Sequence, residues 1–121
     1  MKTRILRTLA LGACAAPLLF MAAGAEAHAR LVKASPAANA VVHAPAAVHL
    51  QFSERLEPKF SGVDLMSASG AIVASTAKVS AKIIDVTPKA ALAPGAYMAM
   101  WHAVAADDGH KTQGSFNFTV K

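Results

Sequence analysis

The chain has 121 residues, 55% of them hydrophobic, and a formal net charge of +5. Its basic residues are scattered and form no aromatic-interleaved patch, which speaks against nucleic-acid recognition. A single cysteine, Cys14, leaves no pair for a disulfide framework.

The first 27 residues read as a secretory signal peptide. Lys2, Arg4 and Arg7 make a basic start, and Leu9, Leu11, Leu18, Leu19 and Phe20 belong to an apolar run. Ala25-Glu26-Ala27 then gives the small-x-small pattern of a cleavage site, with the cut after Ala27. Leu11-Gly12-Ala13-Cys14 is only faintly like a lipoprotein processing site, because the apolar run continues well beyond it. Residues 28–121 remain, one small domain with nine Lys and Arg against six Asp and Glu. They contain no second apolar run near the roughly 20 residues that cross a bilayer, so the processed protein is expected to be exported and not embedded in a membrane.

From His28 onward the sequence predicts short strands separated by turns, and no convincing helix. Leu31 to Ala34 is the first strand, stopped by Ser35-Pro36. Ala37 to Pro45 reads as a loop punctuated by Asn39 and Pro45. Val48, Leu50 and Phe52 alternate with His49 and Gln51, the period-two pattern of a half-buried strand. His49 then faces solvent, and His43 lies in the loop with nothing to mark it as a ligand.

Phe60 to Met66 reads as a strand ended by Ser67-Ala68-Ser69-Gly70. Ile72 to Val79 and Lys82 to Thr87 follow, the second rich in β-branched residues, and Pro88 closes it. Pro94-Gly95 turns the chain into Ala96 to Val104. Gln113 to Lys121 places Phe116, Phe118 and Val120 inward. Seven short strands without helices predict an all-β fold, an antiparallel Greek-key β-barrel or sandwich of the immunoglobulin-like kind.

Two stretches carry chemistry. A cut after Ala27 would put His28 first, so that its α-amine and ring Nδ1 close one chelate ring on a metal. Between the last two strands, Asp107-Asp108-Gly109-His110 reads as a turn, yet a turn does not require the histidine. In locally extended chain, residues two apart face one side, so Asp108 and His110 can present an oxygen and a nitrogen together. With His28 they make three nitrogens and one oxygen, a set that suits Cu(II) better than tetrahedral zinc.

The ordered motifs along residues 28–121 resemble the CopC family of periplasmic copper-binding, copper-resistance proteins. They are His28-Ala-Arg-Leu-Val, Ser35-Pro36, Phe52-Ser53-Glu54, Phe60-Ser61-Gly62, Pro94-Gly95-Ala96-Tyr97, Trp101, Asp108-x-His110 and Gly114-Ser115-Phe116. The resemblance implies a seven-stranded Greek-key barrel holding one Cu(II) per processed chain. It assigns the metal to His28, Asp108 and His110, with Glu54 as a weak ligand or outer partner. Glu54 could equally be a loop carboxylate paired with Arg55 or Lys59. The resemblance also implies a copper-buffering or copper-carrying monomer, with an inner-membrane transporter of the CopD type as partner. The enzyme alternative is a histidine-brace copper monooxygenase acting on a polymeric substrate. Asp108 would fill the position that such an enzyme leaves open for oxygen.

Some family members carry a Cu(I) site on a methionine-rich loop. Here the Phe60–Val79 region holds only Met66, so no such loop is expected. Met98, Met100 and His102 form another soft-donor set on one strand face. That face is expected to be a partly exposed strand surface, with a Cu(I) site as its alternative reading.

Overall fold

A computed structural model of the chain describes residues 28–121. The expected signal peptide, residues 1–27 with Cys14, lies outside the described residues. Two sheets pack face to face. One joins β1 (Leu31–Ser35), β3 (Val48–Phe52), β7 (Ile83–Pro88) and β6 (Ser75–Ser80) in the order β1-β3-β7-β6. The other joins β2 (Val41–Val42), β9 (Lys111–Val120), β8 (Gly95–Val104), β4 (Gly62–Ser67) and β5 (Ile72–Val73) in the order β2-β9-β8-β4-β5.

The core follows from the period-two pattern. Val48, Leu50 and Phe52 of β3 are buried and alternate with exposed His49 and Gln51. Ile84 and Val86 of β7 join them, and Val63, Leu65, Tyr97, Ala99, Phe116 and Phe118 close over them from the other sheet. Burying each such large apolar side chain is worth about 1.5–3 kcal/mol. Tyr97 stacks on Phe118 at 5.7 Å, and its hydroxyl donates to the Ala93 carbonyl at 2.6 Å. The ring is thus buried while its polar tip is satisfied.

Trp101 points inward and meets Phe52 edge-on at 5.1 Å. It does so by lying across β9 at Gly114, where a Cβ would stand 2.6 Å from Trp101 Cζ2. Only glycine leaves room for the indole.

Three local expectations change. The Ile72 to Val79 strand divides into β5 and β6, which belong to different sheets, with Ala74 between them. Phe60 ends a one-turn 3-10 segment, Pro58–Phe60, and is 62% exposed rather than part of a strand. Inside the expected Ala37 to Pro45 loop, β2 pairs with β9 in parallel, so the five-stranded sheet is mixed. Among the described residues, no helix is long and apolar enough to cross a membrane.

Candidate metal centre

The long β8–β9 hairpin organises the site. Its ladder runs from Gly95 opposite Val120 to Val104 opposite Lys111, and residues 105–110 connect the two strands. That connection is pinned at its base. Ala105 is buried and bridges Leu56, its N–H donates to the His110 carbonyl at 3.0 Å, and Ala106 N–H donates to the Arg55 carbonyl at 2.8 Å. Gly109 takes a φ of 73° at the bend, a conformation that glycine adopts without the Cβ penalty.

Within this loop Asp108 holds His110 twice. His110 N–H donates to Asp108 Oδ1 at 3.0 Å, and His110 Nδ1–H donates to Oδ2 at 2.9 Å. An ionised carboxylate only accepts, so this pairing puts the ring proton on Nδ1 and leaves Nε2 as the imidazole lone pair. The Asp108 carboxyl is held below its ordinary 3.8, first by the His110 backbone N–H and next by the His110 side chain. The nearby His28 ring adds a smaller pull in the same direction.

His28 arrives from the other sheet, three residues ahead of β1. Ala29 is fully buried, and its carbonyl accepts from Thr112 Oγ1 at 2.6 Å. Arg30 N–H donates to Ser53 Oγ at 3.0 Å, while Ser53 N–H returns to the Arg30 carbonyl at 2.9 Å. The segment is thus fastened to the end of β3 and to the start of β9. The result is a His28 ring 4.4 Å from the His110 ring, centroid to centroid, at an interplanar angle of 73°.

His28, Asp108 and His110 are therefore neighbours, although they lie some eighty residues apart in sequence. Among the described residues, no three His, Asp or Glu side chains already converge on one metal position. Two causes are visible. Asp108 spends both oxygens on His110, and the nitrogen of His28 is a peptide nitrogen while residue 27 is attached. The chemistry of the set still fits a copper ion: two imidazoles, a carboxylate, and an amine once His28 is terminal.

Glu54 is half-buried and directly follows Ser53, one residue beyond the pair that fastens Arg30. Among the described residues the ion pairs are His49–Asp85 and His110–Asp108, and neither uses Glu54. His49 is exposed as expected, but its Nδ1 meets Asp85 Oδ1 at 2.5 Å on the neighbouring strand. His43 lies in an exposed loop. Met98, Met100 and His102 stand on the outer face of the five-stranded sheet. Sequence reasoning did not find Thr112 or the buried Ala29. Thr112 is an inward position of an alternating strand, which was the available signal.

The CopC domain family model matches residues 31–121. Copper resistance protein C of Xanthomonas campestris pv. juglandis is 41% identical over 108 residues, covering 82% of this chain and 84% of that protein. Copper transport protein CutJ of Bacillus subtilis is 35% identical over 109 residues, 85% of this chain but 20% of that protein. The crystal structure of PcoC, a methionine-rich copper resistance protein from Escherichia coli, superposes with a TM-score of 0.72 at 35% identity. That match covers 78% of this chain and 99% of PcoC. The chain belongs to the CopC family.

Proposed function

We propose that this protein binds copper in the service of copper resistance, holding one Cu(II) per processed chain at His28, Asp108 and His110. The observation that carries the reading is the pair of imidazoles at 4.4 Å with the Asp108 carboxylate bonded to one of them. The family match begins at residue 31, so the role of His28 rests on this geometry. His110 offers Nε2. His28 offers its ring and, after cleavage behind Ala27, its amine. Asp108 reaches the metal by releasing Oδ2 from the ring while Oδ1 stays on the His110 backbone N–H. Glu54, next in sequence to the Ser53 that fastens Arg30, is the candidate outer partner.

The protein acts as a periplasmic monomer and carries or buffers copper without turning over a substrate. A segment like this chain forms about a fifth of a copper transport protein, which supports a copper transporter as its partner, of the CopD type in the inner membrane. No observation favours the monooxygenase reading, since Asp108 stands beside the imidazoles where such an enzyme needs an open position.

The test is a paired Cu(II) titration against one competing chelator. Protein beginning at His28 is compared with protein that retains one residue ahead of it or carries an N-acetyl group. Extension or acetylation removes the amine from its chelate ring and should weaken binding by at least ~100-fold, beyond the usual loss of an outer partner. Equal affinities would show that His28 does not brace the metal. Because amine and imidazoles must lose protons to bind, binding should also release protons and weaken as pH falls.

A further inference from the structure

Residues 53–61 cross one end of the sandwich between β3 and β4 and are laced to the segments that meet there. Ser53 N–H donates to the Arg30 carbonyl, Leu56 N–H to the Ala81 carbonyl and Glu57 N–H to the Val104 carbonyl. Ser61 Oγ accepts from Val104 N–H at 3.0 Å. Phe52 N–H reaches the Lys82 carbonyl at 2.8 Å, and Ala106 N–H the Arg55 carbonyl. The 53–61 segment, the β6–β7 turn, residues 28–30 and the 105–110 loop therefore share one end, the end that carries His28, Asp108 and His110.

Cations dominate the exposed charge of that end. Arg30, Arg55, Lys59, Lys82 and Lys111 are all exposed, five of the nine Lys and Arg in residues 28–121. Among the described residues both ion pairs use histidine, so none of the five is paired with a carboxylate. The carboxylates of the same end are more engaged. Glu54 and Glu57 are half-buried, Glu57 accepts from Lys59 N–H at 3.4 Å, and Asp108 is held by His110, which leaves Asp107. Next to Lys59 stands Phe60, 62% exposed and the only aromatic among the exposed large apolar side chains of the described residues. The 3-10 turn Pro58–Phe60 buries none of its side chains, so packing does not explain the ring.

We propose that this end of the sandwich docks on an anionic phospholipid bilayer, with Phe60 entering the headgroup region and the five cations lying over the lipid phosphates. Interfacial binding combines apolar side chains, Phe among them, with Lys and Arg facing anionic lipid. The negative surface of such a bilayer attracts cations that come within about a Debye length. Lys and Arg stems lie along the apolar boundary while their heads stay at the phosphates. The aromatic is single and rimmed by charge, whereas the core of a protein interface is depleted of charge. A bilayer needs no matching pocket for it. Docked in this way, the protein presents His28, Asp108 and His110 to the membrane. The patch stands on exposure and charge alone. Only its use, exchanging copper with a transporter in that membrane, rests on the copper reading above.

The test is sedimentation of processed protein with vesicles of phosphatidylglycerol and phosphatidylcholine in equal parts, against vesicles of phosphatidylcholine alone. Cu(II) affinity and melting temperature are measured for each variant in parallel. The protein should bind the anionic vesicles and leave them as salt screens the charges. Each cation at the surface is worth about a fivefold factor, so Lys59→Gln combined with Lys82→Gln should weaken binding about 25-fold. Phe60→Ser should weaken it about tenfold or more. Lys89→Gln combined with Lys121→Gln removes the same charge at the opposite ends of β7 and β9 and should change little. Cu(II) affinity should be the same in all of these. Absence of binding to anionic vesicles at low salt, equal binding to neutral ones, or equal losses from the Lys89 and Lys121 pair would overturn the proposal and leave the cations to a protein partner. Vesicle binding through Lys59 and Phe60 in protein that fails to bind Cu(II) would support the docking surface and count only against the copper site.

Discussion

Thr112→Val tests whether the two sheets themselves position the proposed copper ligands. The change keeps the side chain's shape and removes one hydroxyl, the donor to the Ala29 carbonyl at 2.6 Å. Ala29 is fully buried, so its carbonyl would lose that partner where water does not readily replace it. Such a loss costs about 1–3 kcal/mol. The Ser53–Arg30 pair remains, so the cost falls mainly on the docking of residues 28 and 29. Metal binding then has to restore that docking, and each 1.4 kcal/mol is a factor of ten. Cu(II) affinity should therefore fall by roughly 5- to 150-fold. Competition titration of wild type, Thr112→Val and Thr112→Ser measures this, with the serine variant keeping the hydroxyl and much of the affinity. A valine variant that binds like wild type would refute the reasoning, as would a serine variant that loses as much as valine.

Gly114→Ala would drive a methyl to within 2.6 Å of the Trp101 ring and force it off Phe52. Overpacking of this kind costs about 1–3 kcal/mol, so a lower melting temperature and red-shifted emission from the single tryptophan are expected. Ala81 holds a φ of 54° between β6 and β7, a left-handed conformation that costs about 1–2 kcal/mol with a Cβ. Ala81→Gly relieves that strain against the larger backbone entropy of glycine, about 0.5–1 kcal/mol, so it should raise the melting temperature by a few degrees. The Asp108 carboxyl is depressed from 3.8, so its contribution is complete above that value and disappears as pH falls through the lowered one. The Asp108 carboxyl ¹³C resonance should therefore show its own midpoint below 3.8, and a midpoint above that value would contradict the bonding described.

What the sequence made legible was whatever depends on neighbours along the chain. Val48, Leu50 and Phe52 alternate with polar residues, and the barrel buries them as that pattern requires. Asp108 and His110 are two residues apart in a turn, so their association needed no knowledge of the fold. Features that depend on pairing stayed hidden. Ile72 to Val79 looks like one strand because β-branched content does not record which sheet a strand joins, and the break at Ala74 is a property of the packing. Val41–Val42 is too short for any period. Met66 becomes a neighbour of Met98 only through the β4–β8 register, just as His49 finds Asp85 only through the pairing of β3 with β7.

Chain ends are ordinarily poorly ordered unless something ties them down, and a metal ligand on a loose end would lose affinity to the entropy of fixing it. The barrel opposes this with small means. Ala29 is a side chain short enough to enter the core completely, and its burial leaves His28 at the surface beside the Asp108–His110 loop. The two hydrogen-bonded pins, Thr112 from β9 and Ser53 from the end of β3, come from opposite sheets. The segment is therefore fixed relative to both layers rather than to one strand. The loop is fixed to the same two regions, through Ala105 and Ala106 to Leu56 and Arg55 and through the β8–β9 ladder. The proposed ligands from the two ends of the domain thus share one support.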